Sequence, residues 1–350
     1  MQMDNGMITV NNLPAPTWEK LKVNRAAVSV CTDYKEASMV CKAGDDPAVT
    51  DDAGTIESFS AIKTGMGDEV SSLLGRLQSE GKVSPRLLTA SGKTVLKIEG
   101  NGAESLAGRL LIDVPEGKKA TVIMDISGAA GVLQTLVRSG KDSDLELIQV
   151  IRSSEDKDLL NDIGSEGSDG SVFKLVQVFM PGKSIYVGCK ALLSGKGSKY
   201  EAYIGYDLKG SDKLDMNYRA VHTGKDTESM MNASGALSGS SEKTFRGTID
   251  FIRGAKKAVG NETEDVLILD EGVINKTVPL ILCEEEDVEG NHGASIGMPD
   301  EETLFYLMSR GISREEALAV LRRSKISNAV MNISDEEYRN EIMGLIYDRD

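Results

Sequence analysis

Chemistry in this chain falls to a small set of side chains. Its 350 residues hold four cysteines, Cys31, Cys41, Cys189 and Cys283, and two histidines, His222 and His292. The cysteines stand at irregular positions that form no disulfide framework and read as reduced thiols. A thiolate is a soft metal ligand, and it can carry a persulfide once its pKa is low enough for attack. A neutral imidazole nitrogen binds iron. Between Glu262 and Glu302 thirteen carboxylates face one basic side chain, Lys276. Such a block is ordinarily a solubilising surface; its sharper reading is a field that attracts cations such as ferrous iron. Cys283 precedes Glu284-Glu285-Glu286-Asp287, so thiolate and carboxylates there could share an iron site. The plainer reading is a core thiol beside a solvated acidic corner. By type alone, His292 is a polar surface residue and Cys189 a small apolar residue in a β run.

Other chemistries are excluded or unsupported. Gly195-Lys196-Gly197-Ser198 is too short for a phosphate-cradling loop, so any ATP must come through a partner. No CxxC metal pair is present. The net charge of −15 argues against nucleic acid, whose phosphates need clustered Lys and Arg. No apolar run approaches the roughly 18 residues that span a bilayer. The first ten residues show no basic and apolar signal pattern. A soluble, cytoplasmic protein is the expectation.

The elements that must position these residues fall into three parts. Residues 1–90 are mixed, with a Pro-punctuated lead-in, Leu13-Pro14-Ala15-Pro16-Thr17-Trp18, and a helix over 68–78, where Val70, Leu73, Leu74 and Leu77 recur at 3–4 spacing. Residues 91–297 are short β runs, such as 94–98, 120–124, 173–178, 202–206, 248–252, 266–269 and 278–282, separated by Gly, Asp, Ser and Asn. One stretch there, 156–162, carries a helical signal. Asn-Gly hairpin punctuation between alternating runs is nearly absent, Asn101-Gly102 being the lone case there. Few aromatics (5%) and 36 glycines suit a stack of short strands with tight corners. A sandwich or barrel also fits such runs, and the spacing of the late ones favours a β-helix. Residues 298–350 are helical. Ser313-Arg314-Glu315-Glu316 is a capping box, Ser334-Asp335-Glu336-Glu337 reads as a second, and a further helix covers 300–310. These helices carry apolar stripes suited to covering the open end of a β stack or to docking a partner.

Specific motifs then enter. Asn291-His292-Gly293-Ala294-Ser295-Ile296-Gly297, followed by Leu304-Phe305-Tyr306-Leu307-Met308-Ser309-Arg310-Gly311-Ile312-Ser313, resembles the signature at the C-terminal end of SufB/SufD scaffolds. Val221-His222-Thr223-Gly224-Lys225-Asp226-Thr227-Glu228-Ser229 and Thr244-Phe245-Arg246-Gly247-Thr248-Ile249 are similar to SufB at matching places. The resemblance runs from about Cys189 to Leu321. It implies a right-handed parallel β-helix with a mixed N-terminal segment and a helical C-terminal cap. It also implies dimerisation through the β-helix, an ABC-type ATPase docked on the C-terminal helices, and a nascent iron–sulfur cluster at the protomer interface.

Residue by residue, the resemblance makes Cys189 the acceptor of sulfur from a cysteine desulfurase or sulfur carrier. It makes His292 an interface ligand and Cys283 the counterpart of a second SufB cysteine. Glu264 stands where SufB has its cluster-forming cysteine, while Asn291 and Gly293 flank the histidine as in SufD. This mixture suggests a single-subunit, non-enzymatic scaffold working as a homodimer, with Leu318, Leu321 and Ile342 on the ATPase-docking face. The alternative is a SufD-like assembly subunit that holds no cluster. A polysaccharide-acting β-helix enzyme would want more aromatics.

Overall fold

The computed structural model of the chain describes residues 6–17, 19–180 and 182–348. Trp18 of the lead-in lies outside the described residues. An antiparallel pair, β1 (Met7–Val10) and β2 (Ala26–Ser29), comes first. Short strands β3 (Lys35–Glu36), β4 (Met39–Ala43) and β5 (Ala48–Val49) follow, then helices α1 (Ala53–Ser60) and α2 (Asp68–Ser79). Strands β6 (Arg86–Thr89) and β7 (Gly92–Glu99) lead into the long ones. These are β8 (Leu106–Val114), β9 (Lys119–Ala129), β10 (Gly131–Ser139), β11 (Asp144–Ser153), β12 (Leu159–Gly167), β13 (Val172–Phe179) and β14 (Ser184–Leu193). Next come β15 (Lys199–Leu208), β16 (Lys213–His222), β17 (Glu228–Leu237), β18 (Glu242–Phe251), β19 (Ala258–Ile268), β20 (Ile274–Cys283) and β21 (Val288–Gly297). Helices α3 (Glu301–Ser309), α4 (Arg314–Val330) and α5 (Glu336–Tyr347) close the order.

From β6 onward even strands stack in one sheet and odd strands in the other, every rung pairing in parallel with the next. The result is a parallel β-solenoid of about eight turns. Alternation along each strand sends one set of side chains into the lumen, as with Ile185, Val187, Cys189, Ala191 and Leu193 of β14. The outward set is buried too in the middle of the stack, because both faces are covered, and the strands read as near-continuous buried runs. Val70, Leu73, Leu74 and Leu77 of α2, with the β1–β2 pair, pack on Ala107, Val132, Leu160 and Tyr186 of the even sheet. Ile326 and Val330 of α4 and Ile342 and Ile346 of α5 pack on Ile123, Ile148, Val150, Val176 and Val178 of the odd sheet.

The N-terminal cover is pinned by close backbone approach and by buried charge. A Cβ on Gly65 would lie 2.0 Å from the Cys189 amide nitrogen, and one on Gly188 would lie 2.3 Å from that of Met66. The loop before α2 therefore lies main chain to main chain on β14. Arg246 reaches Asp215 at 2.6 and 3.2 Å and also donates to the Val23 carbonyl, while Asn11 donates to Asp215 at 2.7 Å.

Several sequence expectations are corrected. Residues 156–162 are a turn and the start of β12, not a helix; Leu159 and Leu160 are both buried because this strand is covered on both faces. Asn101-Gly102 does not close a hairpin, since β7 pairs with β9 and crosses to the other sheet from β8. The box at Ser313 forms as read. At α5 the cap is Asp335, whose carboxylate accepts from the Tyr338 amide; Ser334 instead donates its amide to Glu146 on the sheet. The C-terminal helices also do not lie across the stack's end. α4 runs against β13, β15, β17 and β19, and the last coil, β20 with β21, is left largely exposed.

Candidate functional site at the uncovered end

Among the described residues, the last two strands leave two parallel edges without a neighbour. Unpaired edges of that length invite a further strand or a second chain. Register fixes which side chains face the lumen there. Gly260, Glu262, Glu264 and Val266 of β19 stand opposite Gly290, His292, Ala294 and Ile296 of β21. Phe245 and Phe251 of β18, both buried in the lumen, stand opposite Thr277 and Cys283 of β20.

One coil inside the mouth lies a charged cluster that the sequence did not reveal as one, although Glu264 was singled out from it. Lys243 is fully buried and ion-paired with Glu264; its ammonium also lies 5.7 Å from the Phe245 ring centroid. The Thr277 hydroxyl donates to Glu264 at 2.6 Å and accepts from Lys243 at 3.1 Å. Glu262 lies beside them in the space left by Gly247, where a Cβ would stand 2.3 Å from its carboxyl carbon. One of its oxygens is buried without a partner. Burial, and then the charge of Glu264, push the Glu262 pKa up to about 8 against the pull of Lys243. The only signal for this cluster was alternation, which puts positions 243, 262 and 264 on lumenal registers.

A pH dependence follows with a definite sign. The folded chain keeps the Glu262 proton up to about pH 8, whereas the unfolded chain releases it near 4.5. Stability from this site is therefore full below 4.5 and falls as pH rises toward 8. Glu262→Gln is expected to melt several degrees above wild type at pH 8, with the difference closing by pH 5 in a series of thermal melts. Equal melting at pH 8 would mean that the carboxyl is solvated.

The site residues expected from sequence are dispersed. Cys189 is wholly enclosed in the lumen, not reached from outside; its sulfur lies 3.2 Å from the Tyr200 hydroxyl, and burial pushes its pKa up to about 12. It is a thiol rather than a thiolate. Glu264 has its carboxylate engaged by Lys243 and Thr277. Cys283 and His292 are exposed on the final coil, and the Cys283 sulfur donates to the Glu285 carbonyl at 2.9 Å. Among the described residues no three His, Cys, Asp or Glu side chains converge to hold a metal ion. The second histidine, His222, is structural: both ring nitrogens are bonded, to Thr227 and Ser229 at 2.8 Å, and burial lowers its pKa to about 4.

The helical face expected to dock a partner is also redrawn. Ile342 is 1% exposed and packs on the odd sheet, so it is unavailable; Leu318 and Leu321 are half-buried. The exposed apolar side chains of this region instead include Phe305 at 73%, Tyr306 at 55%, Met308 and Val320, with Met331 and Tyr347 further along. No helix among the described residues is long and apolar enough to cross a membrane.

A sequence profile for the SUF system FeS cluster assembly SufBD core domain matches residues 96–325. The chain is 27% identical over 179 residues to the iron-sulfur cluster assembly protein SufD of Bacillus subtilis, covering 51% of this chain and 38% of that protein. It is 33% identical over 137 residues to an iron-sulfur cluster assembly SufBD family protein of Staphylococcus epidermidis, covering 39% of this chain and 29% of the relative. The matched stretches thus span less than two-fifths of these curated relatives. The profile runs from within β7 into α4 and includes every strand of the uncovered end. On that ground the chain belongs to the SufB/SufD family of iron–sulfur cluster assembly proteins.

Proposed function

We propose that the chain is a non-enzymatic, cytoplasmic scaffold on which iron–sulfur clusters are built, working as a homodimer joined through its uncovered coil. The observation that carries this reading is the pair of open edges, β20 and β21, bearing exposed Cys283 and His292 beside an otherwise covered solenoid. One protomer brings two such ligands; a second copy doubles them, and iron and sulfide enter as cargo rather than as a resident cofactor. First contact with sulfur is assigned to Cys283 rather than Cys189, because one thiol is exposed and the other is enclosed and protonated. A cysteine desulfurase or sulfur carrier would then deliver at the open end. Cys283→Ala is expected to abolish desulfurase-driven assembly, and Cys189→Ala to spare it. The reverse result would restore Cys189 as the acceptor.

An ABC-type ATPase would be met by the exposed apolar side chains Phe305, Tyr306 and Met308 of α3 and Val320 of α4, since exposed apolar surface marks interaction sites. Phe305→Asp should lower ATPase capture in pull-down at least tenfold while leaving the melting temperature unchanged. Undiminished capture would place docking elsewhere.

A second reading, a SufD-like subunit that holds no cluster, is favoured by one observation: Glu264, at the position matching the SufB cysteine, is already engaged by Lys243 and Thr277. Anaerobic reconstitution of the pure chain with iron and sulfide separates the two. A bound chromophore supports the scaffold, and its absence supports the subunit.

A further inference from the structure

The open edges of β20 and β21 are not equivalent. Backbone groups of successive strand residues point alternately to the two sides of the strand. At the two ends of β20, the Ile274 amide donates to the Ser241 carbonyl at 2.9 Å and the Glu284 amide to the Phe251 carbonyl at 2.8 Å. Even-numbered residues of β20 therefore face β18, and odd-numbered ones face the open edge. Pro279 is odd-numbered and sits in the middle of the strand. It has no N–H, and its ring occupies the place where an incoming strand would look for a donor. Within this chain the missing donor costs no ladder bond, because it would have pointed away from β18.

The edge of β21 has no such gap. The Val259 amide donates to the Thr227 carbonyl at 2.9 Å, so odd-numbered residues of β19 face β17 and even-numbered ones face β21. In a parallel ladder a residue bonds the neighbours of its register partner. Ala258, in register with Val288, thus turns the odd-numbered residues of β21 inward. Val288, Gly290, His292, Ala294 and Ile296 present their backbone groups to the open edge, and none of them is proline. The first coil, by contrast, ends bluntly. β5 has two residues, β4 carries a register shift between Cys41 and Ala43, and both pair antiparallel, features that discourage further pairing. Copies of this chain can therefore meet uncovered coil to uncovered coil, which closes a twofold pair instead of growing a filament.

Two twofold arrangements satisfy that contact. Setting β20 against β21 of the second copy would put a proline in both ladders. Setting each strand against its own copy leaves the break along β20 and makes the ladder along β21 continuous and antiparallel. The fullest register then joins Val288 to Ile296 and Gly290 to Ala294 across the axis. We propose that β21 is the edge on which a second copy of this chain adds its strand, and that Pro279 bars a continuous ladder along β20. This rests on the homodimer reading above and specifies its contact. Cys283, at the end of β20, falls on the side with the broken ladder, where a sulfur donor can approach.

The test follows amide hydrogen exchange on the full-length chain, resolved to single residues, across a concentration series with light scattering in parallel. In the dimer the amides of Gly290, His292, Ala294 and Ile296 should slow by roughly tenfold or more relative to the monomer. Those of Thr277 and Ile281, on either side of Pro279, should not. Pro279→Val supplies the missing donor and should tighten dimerisation roughly tenfold, slowing Thr277 and Ile281 as well. Ala294→Pro removes a donor from the β21 edge without touching a bond to β19, and should weaken dimerisation by a similar factor. A wild-type dimer that protects Thr277 and Ile281 as strongly as β21 overturns the inference and leaves the homodimer standing. So does unchanged dimerisation in both variants. A chain that stays monomeric throughout the series overturns the homodimer reading and this inference with it.

Discussion

Lys243→Met is expected to cost about 3–5 kcal/mol at pH 8, the largest stability loss predicted for any single lumenal residue. Methionine nearly matches the volume of lysine, so the loss is electrostatic. The wild-type ammonium sits between two buried carboxylates, paired with Glu264 and lowering the pKa of Glu262. Without it, the Glu264 carboxylate remains enclosed beside a protonated Glu262 with one hydroxyl donor, Thr277. Lys243→Met/Glu264→Gln should recover most of the loss, because replacing both partners leaves no uncompensated charge. The single variant should also regain stability as pH falls and the carboxyls take up protons. Solenoid coils interact chiefly with their neighbours, so the defect should register first as faster amide exchange in β18 to β21. A single variant as stable as wild type at pH 8 would mean that water already solvates this cluster.

Some of this arrangement was legible in the residues. The 3–4 spacing of Val70, Leu73, Leu74 and Leu77 marked α2, and the Ser313 box marked α4. The solenoid itself was legible as short β runs without hairpin turns. Its repeat was not, because coil length varies: Leu106 pairs with Gly131, 25 residues on, while Glu242 pairs with Ile274, 32 on. The enclosure of Cys189 was available in principle from the alternation of Ile185, Val187, Cys189, Ala191 and Leu193. Resemblance to an accessible acceptor cysteine outweighed that signal. The Lys243–Glu264 pair had no comparable signal, since a lysine and a glutamate 21 residues apart meet only through register across the lumen. Likewise the stripe of Ile342 was correctly read as apolar and wrongly read as free, because the face of the odd sheet that it covers cannot be seen from the helix alone.

The second large effect concerns the uncovered coil. Ile281 and Ile296 are 39% and 44% exposed, in register with buried Ile249 and Val266 one coil below. They have the placement of core residues without a covering coil. A second copy laid end to end would bury them and pair the open edges, while lysine at an edge is a natural block to such pairing. Ile281→Lys/Ile296→Lys is expected to weaken dimerisation roughly 100-fold, consistent with losing about 0.7 kcal/mol at each of the four substituted sites of the dimer. The fold of each protomer should be kept, since neither side chain contributes to its buried core. Because the proposed cluster ligands come from both copies, the same variant should fail to hold a cluster under anaerobic reconstitution. Cys283→Ala and His292→Ala should also fail, yet remain dimeric.

The central claim is that the cluster forms between two uncovered coils, and one measurement tests it most directly. After anaerobic reconstitution, the wild-type chain is passed through size-exclusion chromatography with in-line light scattering and visible absorbance. The account predicts cluster absorbance confined to the dimer peak, and colourless monomer for Ile281→Lys/Ile296→Lys. A monomer peak carrying the chromophore at the wild-type iron content per chain would contradict it.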